Sequence, residues 1–201
     1  MPEIAKKIEV FLAFGGNLPS RAGTPKETIQ AAVARLETRG FDLVKLSHFY
    51  RSPAVTLDVR TCAPAYTNAA AWMQCTLVPE QILAITQSVE REFGRKPGAR
   101  WTARPLDIDL LAAGQVVLPS REIWQRLASS EDIAAILPEP VVPHPRLHLR
   151  GFVLAPLLDL IPGWIHPVLG ENIAQLAARA QENGEFEGMK KLGPVGGSGV
   201  K

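Results

Sequence analysis

The sequence contains little cysteine and no long apolar run. Its two cysteines, Cys62 and Cys75, have no CxxC or Cys/His spacing around them, which argues against a zinc site and is typical of a reduced, cytoplasmic setting. No stretch reaches the about 18 apolar residues that a membrane-spanning helix needs, and the polar residues 1–9 lack the apolar core of a signal peptide. We therefore expect a cytoplasmic protein without a membrane partner.

The chain also lacks a charge excess and the common nucleotide-binding signatures. A formal net charge of +2 over 201 residues does not favour a nucleic-acid partner. There is no GxxxxGK[ST] and no GxSxG, and Gly15-Gly16-Asn17 does not complete GxGxxG. A P-loop protein is thus excluded, and a dinucleotide-binding fold is unsupported. The 46% of apolar residues is enough for one globular domain.

Strand and helix patterns alternate over the first half of the chain. The predicted strands cover residues 8–14, 41–51, 66–76 and 105–112. One helix is predicted over 25–39, after a capping box at Thr24–Glu27, and a second runs from Pro79 to Gly94. The order β-α-β-β-α-β predicts an α+β fold with a ferredoxin-like βαββαβ core.

The pattern of the second half predicts a less regular C-terminal extension. Residues 119–138 favour a short helix, and the proline-rich residues 138–145 an extended or turning segment. Helical spacing returns over 172–182. We expect a single domain over 1–182, followed by a glycine-rich, mobile tail over 183–201.

The predicted strand 105–112 carries two carboxylates, Asp107 and Asp109. Side chains alternate across a strand, so these carboxylates share one face while Leu106, Ile108 and Leu110 face the core. Two like charges this close repel unless a cation lies between them, and oxygen ligands completed by substrate phosphates suit Mg²⁺. From spacing alone, an ordinary strand with a solvated acidic face is an equal alternative.

A cationic loop precedes this strand. Arg95, Lys96, Arg100 and Arg104 lie just upstream, with Trp101 among them. Cations hold phosphate oxygens while carboxylates hold a metal, so the combination favours a phosphoryl-transfer site over a solvated charge run. Trp101 can stack on a planar ligand, and a small loop core is the equal alternative.

Two further positions could complete such a site. His144 lies among proline turns with Arg146 and Arg150, and these three could reach the same phosphates. Asn68, on the third predicted strand, is a candidate for binding the amide edge of a heterocycle. A structural hydrogen bond is the alternative role for both His144 and Asn68.

Five segments together resemble the 6-hydroxymethyl-7,8-dihydropterin pyrophosphokinase family, in the right order over roughly residues 8–177. They are F-G-G-N (14–17), F-Y-R-S-P (49–53), Y-T-N-A-A (66–70), G-R-…-R-W-T-A-R-P-L-D-I-D-L-L (94–111) and V-P-H-P-R-…-R-G-F-V-L-x-P-L (142–157). The resemblance implies a ferredoxin-like enzyme that moves a pyrophosphoryl group from ATP to the hydroxymethyl group of a dihydropterin and releases AMP.

The resemblance also implies a role for each matching residue. The catalytic and metal positions match Arg95, Arg104, Asp107 and Asp109, with two Mg²⁺ ions on the aspartates. The ATP-binding positions match Gln87, Glu90, Arg95, Arg100, Arg104, Leu110, His144 and Arg150. The pterin would stack between Trp101 and Phe152, with its edge bound by Asn68 and further contacts from Ser52, Pro53 and Tyr66.

The sequence departs from the family pattern mainly in its loops. The usual Gly-Ser-Asn is Gly-Gly-Asn, and the usual Trp-Gly-Pro-Arg is Trp-Thr-Ala-Arg. The catalytic loop is one residue short, with Lys96-Pro97 in place of an arginine, so a bidentate contact is lost. Pro145 replaces an aromatic residue, and the stretch 119–140 is longer than usual. These changes bear on turnover and ATP affinity more than on reaction type.

The departures leave one alternative function open. A noncatalytic pterin- or nucleotide-binding protein could use the same fold. An RNA-binding module is disfavoured, because the chain lacks an aromatic RNP-type strand and a strongly basic charge. We expect a monomer or weak dimer.

Overall fold

The computed structural model describes residues 6–54, 64–95, 103–130 and 140–192. Strands and helices alternate over the first part of the chain, and mostly helices follow. The elements are β1 (Ile8–Gly16), α1 (Pro25–Glu37), β2 (Asp42–Leu46), β3 (Tyr50–Ser52), β4 (Tyr66–Cys75), α2 (Pro79–Glu92), β5 (Asp107–Ala113), α3 (Arg121–Ala128), a 3₁₀ turn (Leu147–Leu149), α4 (Gly151–Leu160), α5 (Ile173–Glu182) and β6 (Lys190–Lys191).

The described strands form one antiparallel sheet in the order β5-β1-β4-β3-β6, and β2 also pairs with β4. The register aligns Gly15 of β1 with Asn68 on one side and with Asp107 on the other. Residues aligned across a sheet point to the same face. Asn68 and Asp107 therefore face the same way. Gly15, which has no side chain, lies between them.

Each face of the sheet carries an apolar core. Helices α1 and α2 cover the first face, where Leu12 and Phe14 pack with Ile29 and Ile82. Helices α4 and α5 cover the second face around Phe11, Ala70 and Leu111. Asp107 and Asp109 continue this second face beyond Leu111 and are half-exposed. The polar residues thus begin where the helical cover ends.

Several predicted elements are confirmed. Helix α1 begins with the predicted capping box, in which the Thr24 hydroxyl accepts from the Glu27 backbone N–H and Glu27 Oε2 accepts from the Thr24 backbone N–H at 2.7 Å. The predicted helices from Pro79 and over 172–182 correspond to α2 and α5. The predicted strand 105–112 corresponds to β5, and α3 is the short helix expected within 119–138. Residues 131–139 lie outside the described part of the chain.

The single strand predicted over 41–51 is wrong, because two short strands, β2 and β3, occupy this stretch. Between them, the Ser47 hydroxyl accepts from the Ala70 backbone N–H at 2.9 Å. The His48 backbone N–H turns away and donates to Asp159 Oδ2 at 3.1 Å. Side chains therefore replace the regular ladder at the break, which hydrophobic alternation does not reveal.

Helix α4 and strand β6 were not predicted. Helix α4 is buried over most of its length and contains Pro156, so it has neither an amphipathic pattern nor an uninterrupted helical sequence. Strand β6 pairs with β3 inside the stretch predicted as a mobile tail, so residues 190–191 of that stretch have a defined place at the sheet edge. Within the described ranges, no helix combines the length and apolar character needed to cross a membrane.

Candidate active site

Asp107 and Asp109 lie on β5 as the sequence predicted. Their side chains point to the second face of the sheet and are half-exposed. Leu106, Ile108 and Leu110 point the other way into the first core. The side chain of Leu110, which the resemblance assigned to ATP binding, is thus buried away from the carboxylates.

Two arginines converge on Asp107. Arg95 Nη1 donates to Asp107 Oδ1 at 2.6 Å, and Arg104 Nη1 donates to the same oxygen at 2.9 Å. Arg95 comes just after α2, and Arg104 lies three residues before Asp107. The side chains are only partly exposed, so their charges are less screened by water than those of surface pairs.

Glu90 lies behind Arg95 and is 3% exposed. Its carboxylate pairs with Arg95, and its Oε1 also accepts from the Ile108 backbone N–H at 2.7 Å. Burial, followed by the negative charge of Asp107, raises the pKa of the Glu90 carboxyl. Glu90, predicted to line the ATP side, therefore supports Arg95 and β5 from beneath. Gln87 lies one turn earlier on α2 and is half-buried.

Arg150 and His144 approach Asp109. Arg150 Nη1 donates to Asp109 Oδ2 at 3.3 Å, and His144 Nε2 lies 4.0 Å from the same oxygen. The sequence predicted both residues near the phosphate site, and the structure brings them to the second aspartate. Two pairs of basic side chains thus flank the two carboxylates.

The network around His144 fixes its protonation. Its Nδ1 accepts from the Arg146 backbone N–H at 3.1 Å, so the ring proton lies on Nε2, which faces Asp109. Burial, with the charges of Arg150 and Arg146, lowers the pKa of His144 to about 3. At neutral pH, His144 is therefore a neutral hydrogen-bond donor.

Asn68 and Ser52 form the adjoining polar pocket. Asn68 is 4% exposed, and its Nδ2 donates to Ser52 Oγ at 2.9 Å. A Cβ on Gly15 would lie 3.4 Å from Asn68 Oδ1 and 3.8 Å from the Tyr66 ring, so the missing side chain leaves room beside both. Pro53, the neighbour of Ser52, is exposed. The predicted pterin residues of β3 and β4 thus lie together.

Phe152, the second predicted pterin-stacking residue, contacts Arg150. It is half-buried in the first turn of α4, and the Arg150 guanidinium lies 5.6 Å from its ring centroid. Trp101, its predicted stacking partner, lies outside the described residues, as do Arg100, Lys96 and Pro97. One half of the predicted aromatic pair therefore contacts Arg150, the residue that donates to Asp109.

Asn17 is a residue whose role the sequence did not reveal. Its Oδ1 accepts from the Arg104 backbone N–H at 2.8 Å, and its own backbone N–H donates to the Arg104 carbonyl at 3.0 Å. Its Nδ2 donates to the Pro64 carbonyl at 3.2 Å. The F-G-G-N segment was the only signal, and it gave no hint of a contact with Arg104. Asn17 holds the segment that carries Arg104 against the end of β1.

The donor set around β5 fits a hard cation that keeps open positions. Asp107 and Asp109 offer carboxylate oxygens on one face of a strand. In the described ranges, no group of three or more His, Cys, Asp or Glu side chains could hold a metal. A cation here would need further ligands from a substrate or water, which Mg²⁺ commonly takes.

A family model described as 7,8-dihydro-6-hydroxymethylpterin-pyrophosphokinase (HPPK) matches residues 11–162. The chain belongs to the HPPK family. The match spans both the carboxylates of β5 and the Asn68 pocket, and it confirms the family that the motifs predicted. It supports the predicted diphosphotransferase activity over the noncatalytic alternative.

Individual relatives agree with the family match. A 2-amino-4-hydroxy-6-hydroxymethyldihydropteridine pyrophosphokinase of Pseudomonas aeruginosa is 34% identical over 188 residues, which cover 91% of this chain and 96% of the relative. A protein of the same name from Porphyromonas gingivalis is 33% identical over 161 residues, which cover 79% and 93%. These two relatives thus match over nearly their full length.

Other similar proteins are much longer. The chain spans 19% of the folic acid synthesis protein fol1 of Pneumocystis carinii, at 30% identity. The structure of Plasmodium falciparum HPPK-DHPS matches with a TM-score of 0.65 and 15% identity, over 94% of this chain and 45% of that one. This second likeness supports the fold alone.

Proposed function

We propose that this protein transfers a pyrophosphoryl group from ATP to the hydroxymethyl group of 6-hydroxymethyl-7,8-dihydropterin and releases AMP. The observation that carries the proposal is the alignment of Asp107, Gly15 and Asn68 across the sheet. It sets a carboxylate pair with cationic neighbours beside a buried amide pocket. One surface can therefore hold a triphosphate and a heterocycle next to each other.

Asp107 and Asp109 would hold two Mg²⁺ ions together with ATP. When bound, the ions neutralise and orient the phosphate oxygens. In the structure, the two carboxylates contact Arg95, Arg104 and Arg150. We infer that binding exchanges these contacts, so that carboxylates face the ions and guanidinium groups face the phosphates.

The basic side chains would clamp the triphosphate in line with the pterin hydroxyl. Arg95 and Arg104 approach from one side of the carboxylates, and Arg150 with neutral His144 from the other. Transfer to a primary alcohol depends mostly on such orientation and charge stabilisation. Arg100, Gln87 and Glu90 complete the proposed ATP side, with Glu90 acting through Arg95.

Asn68 would bind the pterin edge, with Ser52 fixing the direction of its amide. Tyr66 and Pro53 would border the ring, and Phe152 with Trp101 would stack on its faces. Gly15, between Asn68 and Asp107, adds no side chain to this part of the sheet face.

The proposal also covers the fold topology, the domain bounds, and the compartment and oligomeric state of the protein. The sheet order is the one that a ferredoxin-like βαββαβ core with a C-terminal extension would have, with the second strand divided into β2 and β3. We propose that residues 1–182 form one domain, which the tail 183–201 follows. We also propose a cytoplasmic monomer or weak dimer that binds neither nucleic acid nor membrane.

Product analysis tests the proposed reaction. The protein is incubated with ATP, Mg²⁺ and hydroxymethyl-dihydropterin, and AMP together with the pterin diphosphate is the expected result. ADP would mean transfer of a single phosphoryl group. Pterin binding without any nucleotide turnover would favour the noncatalytic alternative.

Two variants test the proposed metal ligands in the same assay. Asp107→Ala and Asp109→Ala should each reduce turnover by at least about 10³-fold, because the ions would lose a ligand. Both positions are half-exposed, so the circular dichroism spectrum should stay that of the wild type. Full activity in either folded variant would remove that aspartate from the proposal.

A further inference from the structure

Helix α3 lies in the stretch 119–140, which is expected to be longer than usual for the family. It begins with Ser120 as its cap, whose hydroxyl accepts from the Ile123 backbone N–H at 3.3 Å. Trp124 is the buried residue of this helix and is 1% exposed. A short polar helix therefore anchors one large aromatic side chain in the protein.

The indole of Trp124 contacts the segment that carries His144. Trp124 Nε1 donates to the Pro143 carbonyl at 2.6 Å. Its ring lies 6.0 Å from the ring of His148 and 4.9 Å from the buried ring of His166, measured between centroids. Trp124 thus touches segment 143–150 at two points, one just before His144 and one between Arg146 and Arg150.

The opposite side of this segment faces β5. The His144 backbone N–H donates to the Leu111 carbonyl at 2.8 Å, and the side chains of His144 and Arg150 approach Asp109. The segment is therefore held between the strand that bears the carboxylates and the indole of α3. A small displacement on the Trp124 side would move both His144 and Arg150 relative to Asp109.

Helix α3 has a second anchor that does not depend on the indole. Arg121 Nη1 donates to the Val168 carbonyl at 3.0 Å, and Arg121 Nη2 donates to the Pro167 carbonyl at 2.7 Å. A change confined to the indole N–H should therefore leave the helix docked. The role of Trp124 in the fold can thus be separated from its role toward His144.

We infer that Trp124 is a positioning residue that sets the affinity of the protein for the nucleotide, by holding segment 143–150 against β5. This inference rests on the proposed function, in which His144 and Arg150 bind the triphosphate. It assigns helix α3 to the ATP side of the site and gives it no contact with the pterin.

The variant Trp124→Phe tests the inference, because it keeps an aromatic ring and removes the indole N–H together with the five-membered ring that carries it. We expect the KM for ATP to rise about three- to ten-fold, the effect of losing one buried hydrogen bond, while the KM for the pterin stays unchanged. A structural defect alone would lower the amount of active protein and leave the KM for ATP unchanged. Gln125→Ala, at the exposed neighbouring position of the same helix, is the matched control and should behave like the wild type.

Calorimetric binding of a non-hydrolysable ATP analogue with Mg²⁺ separates this inference from the proposed reaction. If the wild type binds the analogue and makes no AMP, the reaction fails, and the Kd of Trp124→Phe still decides the role of Trp124. A Kd and a KM equal to those of the wild type, in a folded Trp124→Phe protein, would overturn the inference. A weaker Kd in Trp124→Phe with an unchanged Kd in Gln125→Ala would support it.

Discussion

At the residue scale, the pocket at Asn68 is defined by one side-chain hydrogen bond. Ser52 Oγ accepts one N–H of the Asn68 amide at 2.9 Å, which holds the plane of the amide in place. A heterocycle with a complementary edge can be recognised by such an arrangement, whereas a freely rotating amide would accept either orientation.

We predict that Asn68→Ala raises the KM for the pterin by about ten-fold or more and leaves the KM for ATP unchanged. The ligand edge would lose its partner in a buried site, where an unpaired polar group is costly. Steady-state kinetics with each substrate varied in turn measures this. Ser52→Ala, which removes only the orienting hydroxyl, should raise the same KM less. Equal pterin KM values in Asn68→Ala and the wild type would exclude Asn68 from the pocket.

The sequence predicted some of these residue positions and not others, for a physical reason. The shared face of Asp107 and Asp109 follows from strand alternation, a rule that acts between residues two apart. The contact of Asn17 with Arg104 joins residues that are 87 apart, and that of Trp124 with Pro143 joins residues 19 apart. No periodic pattern encodes such contacts, so Asn17 and Trp124 could only be found in the folded chain.

At the element scale, the close contact between β1 and the segment before β5 governs the site. A Cβ on Gly16 would lie 2.4 Å from the Pro105 carbonyl oxygen, which belongs to the backbone and cannot simply rotate away. The absence of a side chain at Gly16 lets Asn17 reach Arg104. The end of β1 therefore packs closely against the segment that carries Arg104.

We predict that Gly16→Ala lowers the free energy of unfolding by about 1–3 kcal/mol and also reduces kcat. The added methyl group must push Pro105 outward, which moves Arg104 away from Asp107. Denaturant unfolding and steady-state kinetics measure the two effects. Gly163→Ala is the control, because nothing lies within 4 Å of its Cβ position, and its stability should stay within about 0.5 kcal/mol of the wild type. Wild-type kinetics in Gly16→Ala would contradict the proposed coupling.

Helix prediction succeeded or failed according to burial. Helix α1 has one buried face, formed by Ile29, Ala32, Val33 and Leu36, so its apolar residues recur at helical spacing. Helix α4 is buried over most of its surface, so its sequence has Asp159 as its one polar side chain, which is too few polar positions to infer a period. The spacing of apolar residues therefore predicts a helix with one buried face, such as α1, and does not reveal the mostly buried helix α4.

At the scale of the whole molecule, stability depends on a histidine remote from the carboxylates. His166 is fully buried, and its Nδ1 accepts from the backbone N–H groups of Val168 and Leu169, both at 3.2 Å. Protonation of Nδ1 would abolish both bonds. Burial, with the nearby His148, lowers the pKa of His166 to about 4.

We predict that the free energy of unfolding falls as the pH drops from about 6.5 to about 4. The unfolded chain binds a proton at His166 near pH 6.5, while the folded chain resists it until about pH 4, so acid favours unfolding by about 3 kcal/mol from this group. Urea unfolding between pH 7 and pH 4.5 measures the slope. The pKa of His144 and His148 is lowered too, so His166→Asn should reduce the slope without abolishing it. Parallel wild-type and His166→Asn curves would contradict the assignment.

The paired charges around β5 also have a consequence for how a ligand would arrive. Glu90, Asp107 and Asp109 each face at least one of the guanidinium groups of Arg95, Arg104 and Arg150. In the proposed complex, two Mg²⁺ ions cancel the charge of the fully ionised triphosphate, so the incoming assembly is close to neutral. Binding would then exchange the ion-pair partners around β5 and leave the total charge of the site unchanged. Long-range attraction would contribute little to capture, and the association rate should depend only weakly on ionic strength.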